Sequence, residues 1–162
     1  MSELNFITFT NAGYVDYTEN LLASNKSNNA NADIKVYALD ESSFNYFSKI
    51  HDNVELFEKE DFANNYFSQA DENFGNLMLV KFELIYRELL KKDNVVYVDG
   101  DIVFKKDFVN DLYKFSPNVD IVFQNDLRPS KPNREWVCAG FMYIKSNETT
   151  QEFFKPTKKL VK

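Results

Sequence analysis

"VVYVDGDIVF", residues 95–104, is the stretch on which the fold turns. Val95–Val98 form an unbroken β-branched and aromatic run, the pattern of a central strand buried on both faces of a parallel sheet. Asp99 and Asp101 follow it, one on each side of Gly100. Strand residues two apart share a face, so the alternation predicts Val95, Tyr97, Asp99 and Asp101 side by side. Two carboxylates that close repel each other unless a positive charge lies between them. They also make a hard-oxygen pair suited to Mg²⁺ or Mn²⁺, ions that keep positions for water and substrate phosphate. Gly100 leaves room for another group to approach the backbone. The alternative is a solvated Asp-Gly turn, although such a turn separates two strands and "DIVF" continues apolar.

The stretch before it, "GNLMLVKFELIYRELLKK" (75–92), carries the strongest helical periodicity. Met78, Phe82, Ile85 and Leu89 make one apolar stripe, widened by Leu77, Leu84 and Tyr86. Glu83, Arg87 and Lys91 fall on the solvent face at four-residue spacing. Lys81 lies away from that charged face, between Leu77 and Ile85. Two accounts fit it: a lysine snorkelling along apolar surface towards Glu88, or an ammonium aimed at the region where the strands end.

The rest of the chain alternates in the same way. Strands are expected at 5–10, 34–40, 53–58, 120–126 and 136–146, and helices at 15–25, 41–49, 105–115 (starting near Asp107) and 147–155. Turns or loops fall at 11–14, 25–33 and 128–135, and 59–74 carries no assignable element. Asn147 is placed to cap the last helix, with Thr150 three residues on. This order predicts an α/β protein, a single domain over 1–162 with a mostly parallel sheet flanked by helices and joined by right-handed crossovers. Ligands of such sheets gather at the carboxyl ends of the strands, where Asp99 and Asp101 stand.

Composition narrows the function. The 162 residues suffice for a real core, and 44% hydrophobic with 16% aromatic residues marks a folded chain. A net charge of −6 argues against general nucleic-acid binding, since there is no basic excess to displace phosphate counterions. The single cysteine, Cys138, excludes an intrachain disulfide and suits a reducing compartment. With no basic leader and no apolar run of about 18 residues, a soluble cytoplasmic protein is expected. A rival reading treats "DGDIV" as the D-x-D-x-[TV] loop of haloacid-dehalogenase-like phosphatases, with a nucleophilic first aspartate and an acidic second. That loop belongs on the first strand of its fold, whereas here three expected strands precede it and about sixty residues follow.

Taken together, "NFITFTNAGY", the helix with Lys81, "VVYVDGDIVF" and "WVCAGFMYIKSN" resemble the nucleotide-diphospho-sugar transferases of the GT-A fold. The resemblance runs over about residues 5–155. It is nearest to the retaining nucleotide-diphospho-sugar transferase family, and more distant from glycogenin-type enzymes and bacterial galactosyltransferases. It implies a Rossmann-like sheet and transfer of a sugar from a nucleotide-diphosphate donor, UDP-linked, with Mn²⁺ or Mg²⁺ as cofactor. Thr8, Thr10, Asn11 and Tyr14 match the loop that holds the nucleotide, with Tyr14 stacking on the base and Asn11 hydrogen-bonding it. Asp101 matches the direct metal ligand, and Asp99, beside Gly100, the aspartate that meets ribose and the metal shell. Lys81 matches a basic position reaching the donor diphosphate or sugar. Gln124, Asn125 and Asp126 match donor-sugar contacts, and Ala139 and Gly140 the small residues beneath that sugar. Retention follows from the family likeness alone; an inverting enzyme needs a carboxylate base, for which Asp126 is the candidate.

Two departures accompany the likeness. Relatives supply a third metal ligand, often histidine, from beyond the last strand, whereas the one histidine, His51, precedes the aspartates. The chain runs out at "KPTKKLVK", which suggests a fragment or a minimal version, and leaves open a nucleotide-sugar-binding domain without turnover. Cys138 stands where relatives often have Asn, and a thiol is a poor partner for a sugar hydroxyl. The acceptor and oligomeric state are left open.

Overall fold

The computed structural model describes residues 3–28, 32–59, 74–115, 118–125 and 136–156. Strands β1 (Phe6–Thr10), β2 (Ile34–Ala38), β3 (Val54–Leu56), β4 (Asn94–Val98), β5 (Ile121–Asn125) and β6 (Val137–Lys145) form one sheet in the order β3-β2-β1-β4-β6-β5. β3, β2, β1 and β4 pair in parallel; β6 lies antiparallel between β4 and β5. The expected mostly parallel α/β sheet is therefore present. Its helices are α1 (Val15–Asn28), α2 (Glu41–Phe47), α3 (Phe74–Leu89), α4 (Val109–Phe115) and α5 (Glu148–Phe154). None of the helices among the described residues is long and apolar enough to cross a membrane.

Two cores pack on opposite faces of the sheet. On one, Ile7, Tyr97 and Ile144 meet Leu84 and Leu89 of α3 and Phe154 of α5. On the other, Phe6, Val96 and Val98 meet Leu21 of α1 and Leu112 of α4. Burial of both faces explains the unbroken apolar run of β4, all five residues of which are buried.

Three expectations are corrected. The buried face of α3 comprises Leu77, Val80, Lys81, Leu84, Ile85, Glu88 and Leu89, while Phe82 is 36% exposed. The face is rotated from the apolar stripe because Lys81, paired with Asp99, and Glu88, bonded to the buried Tyr37 hydroxyl, turn inward with their neighbours. α1 runs to Asn28, into the expected loop, where the Asn28 side chain donates to the carbonyls of Ser24 and Phe104.

The third correction touches the aspartates. β4 ends at Val98, and Asp99 to Ile102 form a turn in which the Ile102 N–H donates to the Asp99 carbonyl at 3.2 Å. The strand alternation therefore stops before Asp101. "DIVF" turns away because Phe104 is buried against Phe108 and Phe141 and its N–H donates to Ser24 Oγ of α1 at 3.0 Å.

α5 starts as expected. Asn147 accepts from the Thr150 N–H at 3.0 Å, and Thr150 Oγ1 accepts from the Asn147 N–H at 3.0 Å, a closed capping box. Replacing Asn147 with Ala opens it, and urea unfolding should show a loss of about 1 kcal/mol with an unchanged slope.

Candidate functional site

The neighbouring parallel strands β1 and β4 bring two loops together at their carboxyl ends. The first follows Thr10, and the second is Asp99–Gly100–Asp101. The second packs so closely on α1 and β1 that a Cβ on Gly100 would lie 2.7 Å from Thr18 Oγ1 and 3.5 Å from the Phe9 carbonyl. Thr18 Oγ1 in turn donates to Thr10 Oγ1 at 3.0 Å, and Thr10 Oγ1 donates to the Asn11 carbonyl at 3.3 Å. Gly100 thus leaves the space that Thr18 of α1 and the backbone of β1 occupy, the close approach that the sequence led us to expect.

The charge that Asp99 needs comes first from the protein. Lys81 Nζ lies 2.8 Å from Asp99 Oδ1, with the lysine side chain 5% exposed and the aspartate 33%. The same ammonium donates to the Ala139 carbonyl at 3.3 Å and sits 4.7 Å from the centre of the Tyr97 ring. The Tyr97 hydroxyl donates to the same Asp99 oxygen at 2.7 Å. Burial pushes that hydroxyl far above the usual phenol range, and the Asp99 carboxylate adds to the effect, so it stays a proton donor. Of the two accounts of Lys81, the second holds. Glu88 is taken by the Tyr37 hydroxyl at 2.6 Å and by Lys35 and Lys91 at 3.8 and 3.6 Å.

β6 supplies the floor. The Asp99 N–H donates to the Gly140 carbonyl at 2.7 Å, extending the β4–β6 pairing past the end of β4. A Cβ on Gly140 would lie 2.9 Å from Asp99 Oδ2 and 3.4 Å from Cys138 Sγ, so the missing side chain makes room for both. The β5–β6 register jumps here: Phe123 pairs with Met142, whereas Gln124 pairs with Cys138. Past the irregularity Phe141 pairs with Val98 of β4, while Gln124 and Asn125, both exposed, lie beside Cys138 and Val137.

On the first loop, Thr8, Thr10 and Asn11 are buried, whereas Tyr14 is half-buried, its ring 6.0 Å from that of the exposed Tyr17. Thr8 lies within β1, short of the loop, and its hydroxyl has no hydrogen-bond partner among the described residues. Asp126 lies outside the described residues. Two positioning groups escaped the sequence reading. Tyr97 was visible as i−2 to Asp99, but only as core. Asp40 was visible as a strand end just before α2; its Oδ2 accepts from the Ala12 N–H and its Oδ1 from the Ser43 N–H, each at 2.8 Å, tying the first loop to the start of α2.

The residues present fit a hard divalent cation. Asp101 is exposed, and Asp99 keeps Oδ2 clear of the Lys81 and Tyr97 contacts, which both fall on Oδ1. Their two negative charges exceed the one positive charge of Lys81. Among the described residues no cluster of three or more His, Cys, Asp or Glu forms a cage. That suits an ion bound through one or two carboxylates with water and phosphate completing its shell.

The sequence model of the nucleotide-diphospho-sugar transferases matches residues 31–161. No curated protein matches. Among solved structures, the galactosyltransferase LgtC, in complex with donor and acceptor sugar analogues, aligns with a TM-score of 0.63 at 14% identity, over 93% of this chain and 59% of its own. The glycosyltransferase GlyE of Streptococcus pneumoniae aligns with a TM-score of 0.61 at 15% identity, over 95% of this chain and 37% of its own. The bifunctional glycosyltransferase WbbM gives 0.54 at 18%, over 94% and 33%. The chain thus shares their fold and spans 59% or less of the length of each.

Substituting Ala for Gly100 should lower stability by about 1–3 kcal/mol, the cost of overpacking. Adding Thr18→Ala, which removes the oxygen in the way, should recover much of that loss in chemical denaturation; two additive losses would place the cost elsewhere.

Proposed function

The chain belongs to the nucleotide-diphospho-sugar transferase family, and on that premise we propose that it is a metal-dependent glycosyltransferase. It takes a sugar from a UDP-linked donor to an acceptor, with retention at the anomeric carbon. The observation that carries the reading is Asp99 at the end of β4, paired with Lys81 behind it, with the exposed Asp101 two residues on and Gly100 packed against β1 and α1.

The site's residues divide the work. Tyr14 stacks on the base and Asn11 hydrogen-bonds it, with Thr10 and, from within β1, Thr8 beneath the loop, and Asp99 and Gly100 take the ribose side. Asp101 and Asp99 Oδ2 would hold Mn²⁺ or Mg²⁺, whose positive charge would be supplied there against the charge growing on the departing diphosphate. Lys81, buried behind Asp99 and paired with it, acts on that leaving group through the carboxylate it orients and not by direct contact. Gln124, Asn125 and Asp126 orient the donor sugar over Ala139 and Gly140, and the Cys138 thiol beside Gly140 adjusts which sugar fits. Retention needs no strong enzymatic base, since the leaving phosphate can take the acceptor's proton; an inverting course would assign that base to Asp126. We place the enzyme in the cytoplasm, in keeping with its single cysteine.

One observation favours a second reading, a nucleotide-sugar-binding domain without turnover: no third metal-ligating side chain joins the two aspartates among the described residues. Release of sugar from labelled UDP-sugars with Mn²⁺ separates the two. Turnover should vanish with chelator and fall at least about 100-fold in Asp101→Asn, the scale of losing a group that stabilises transition-state charge. Donor binding with no turnover would establish the second reading. Hydrolysis of a simple phosphoester without nucleotide, abolished by Asp99→Asn, would replace both with phosphatase chemistry.

A further inference from the structure

We infer that Tyr97 is a positioning residue of the donor site: its hydroxyl and the Lys81 ammonium fix Asp99 by one oxygen and leave the other, Oδ2, beside Gly140 as the acceptor offered to ligand. The inference rests on the donor-site reading above and adds a residue to it.

A carboxylate held by one donor can rotate and exchange its two oxygens. Here both donors reach the same oxygen, Tyr97 at 2.7 Å and Lys81 at 2.8 Å. Lysine alone would not fix the carboxylate, because its ammonium has three equivalent donors on a flexible stem. The tyrosine supplies direction: its ring is buried in the sheet, 6.2 Å from Phe9, so the hydroxyl has one place to point. That ring also carries the Lys81 ammonium 4.7 Å from its centre, and the Ala139 carbonyl holds the ammonium from the β6 side at 3.3 Å. One buried side chain thus orients both members of the pair. Oδ2, the oxygen left over, lies where a Cβ on Gly140 would be 2.9 Å away, so the site has been cleared around it.

Tyr97→Phe removes only the hydroxyl. Phe fills the same space, and Asp99 keeps Lys81 and its access to water, so the variant folds. Ile144→Val serves as the control; Ile144 is fully buried in the same core and touches neither Asp99 nor Lys81 through any polar group. Calorimetric titration of UDP in saturating Mn²⁺ should show Tyr97→Phe binding about ten-fold more weakly, the size of one charge-assisted hydrogen bond. Ile144→Val should bind as wild type despite an equal or lower melting midpoint. Equal affinity of Tyr97→Phe and wild type would overturn the positioning role. So would an affinity loss shared by Ile144→Val, which would make the effect one of general destabilisation. A wild-type protein that binds no UDP with Mn²⁺ would overturn the donor-site reading, and the inference with it.

Discussion

The pairing of Lys81 with Asp99 is the constraint on which the site depends. Lys81 is 4% exposed on the face of α3 that packs against the sheet, and an ammonium is not held there without an anion. The nearest one that geometry allows is at the end of β4, so the pair ties the middle of α3 to the mouth of the site. Breaking a fully buried pair by removing one partner costs about 3–5 kcal/mol; with Asp99 33% exposed, water screens part of that here. The arrangement therefore contributes geometry more than stability. It converts one of two repelling aspartates into a neutralised, oriented group and leaves the other exposed with its charge.

The sheet supplies the rest by bringing separate stretches to one edge. β1 and β4 are neighbours although eighty-odd residues lie between them, so the first loop and the aspartates meet. β6 runs against β4, which delivers its opening residues, Cys138 to Gly140, to the carboxyl end of its neighbour. Glycine appears at both contacts of this edge, Gly100 against α1 and Gly140 against Asp99, and in each case a methyl group would be closer than 3 Å to an oxygen.

Much of this was legible in the chain. The β4 run, the six strands, the capping box at Asn147 and the odd position of Lys81 all follow from local pattern, because burial on one or two faces imprints itself as periodicity. What was hidden depends on contacts distant in sequence. The turn at Asp99–Ile102 is the Asp-Gly alternative that the letters left open, and the choice between it and a continuing strand is set by Phe104 reaching a core made by α1 and β6. The inward turn of Glu88 is set by Tyr37 of β2, fifty-one positions away. Tyr97 looked like any apolar strand residue, since its hydroxyl acquires a meaning only once Asp99 and Lys81 are both placed. Asp40 carried a local signal, an aspartate just before α2 that caps it at Ser43, but its second bond, from the N–H of Ala12, depends on a contact distant in sequence.

The central claim is that the two aspartates and Lys81 form a donor site that a divalent cation completes. Its most direct test is calorimetric titration of UDP into the wild-type protein with and without Mn²⁺. The account predicts binding that appears with the metal and is lost, or nearly so, without it. Absence of binding under both conditions, or binding indifferent to the metal, would contradict it.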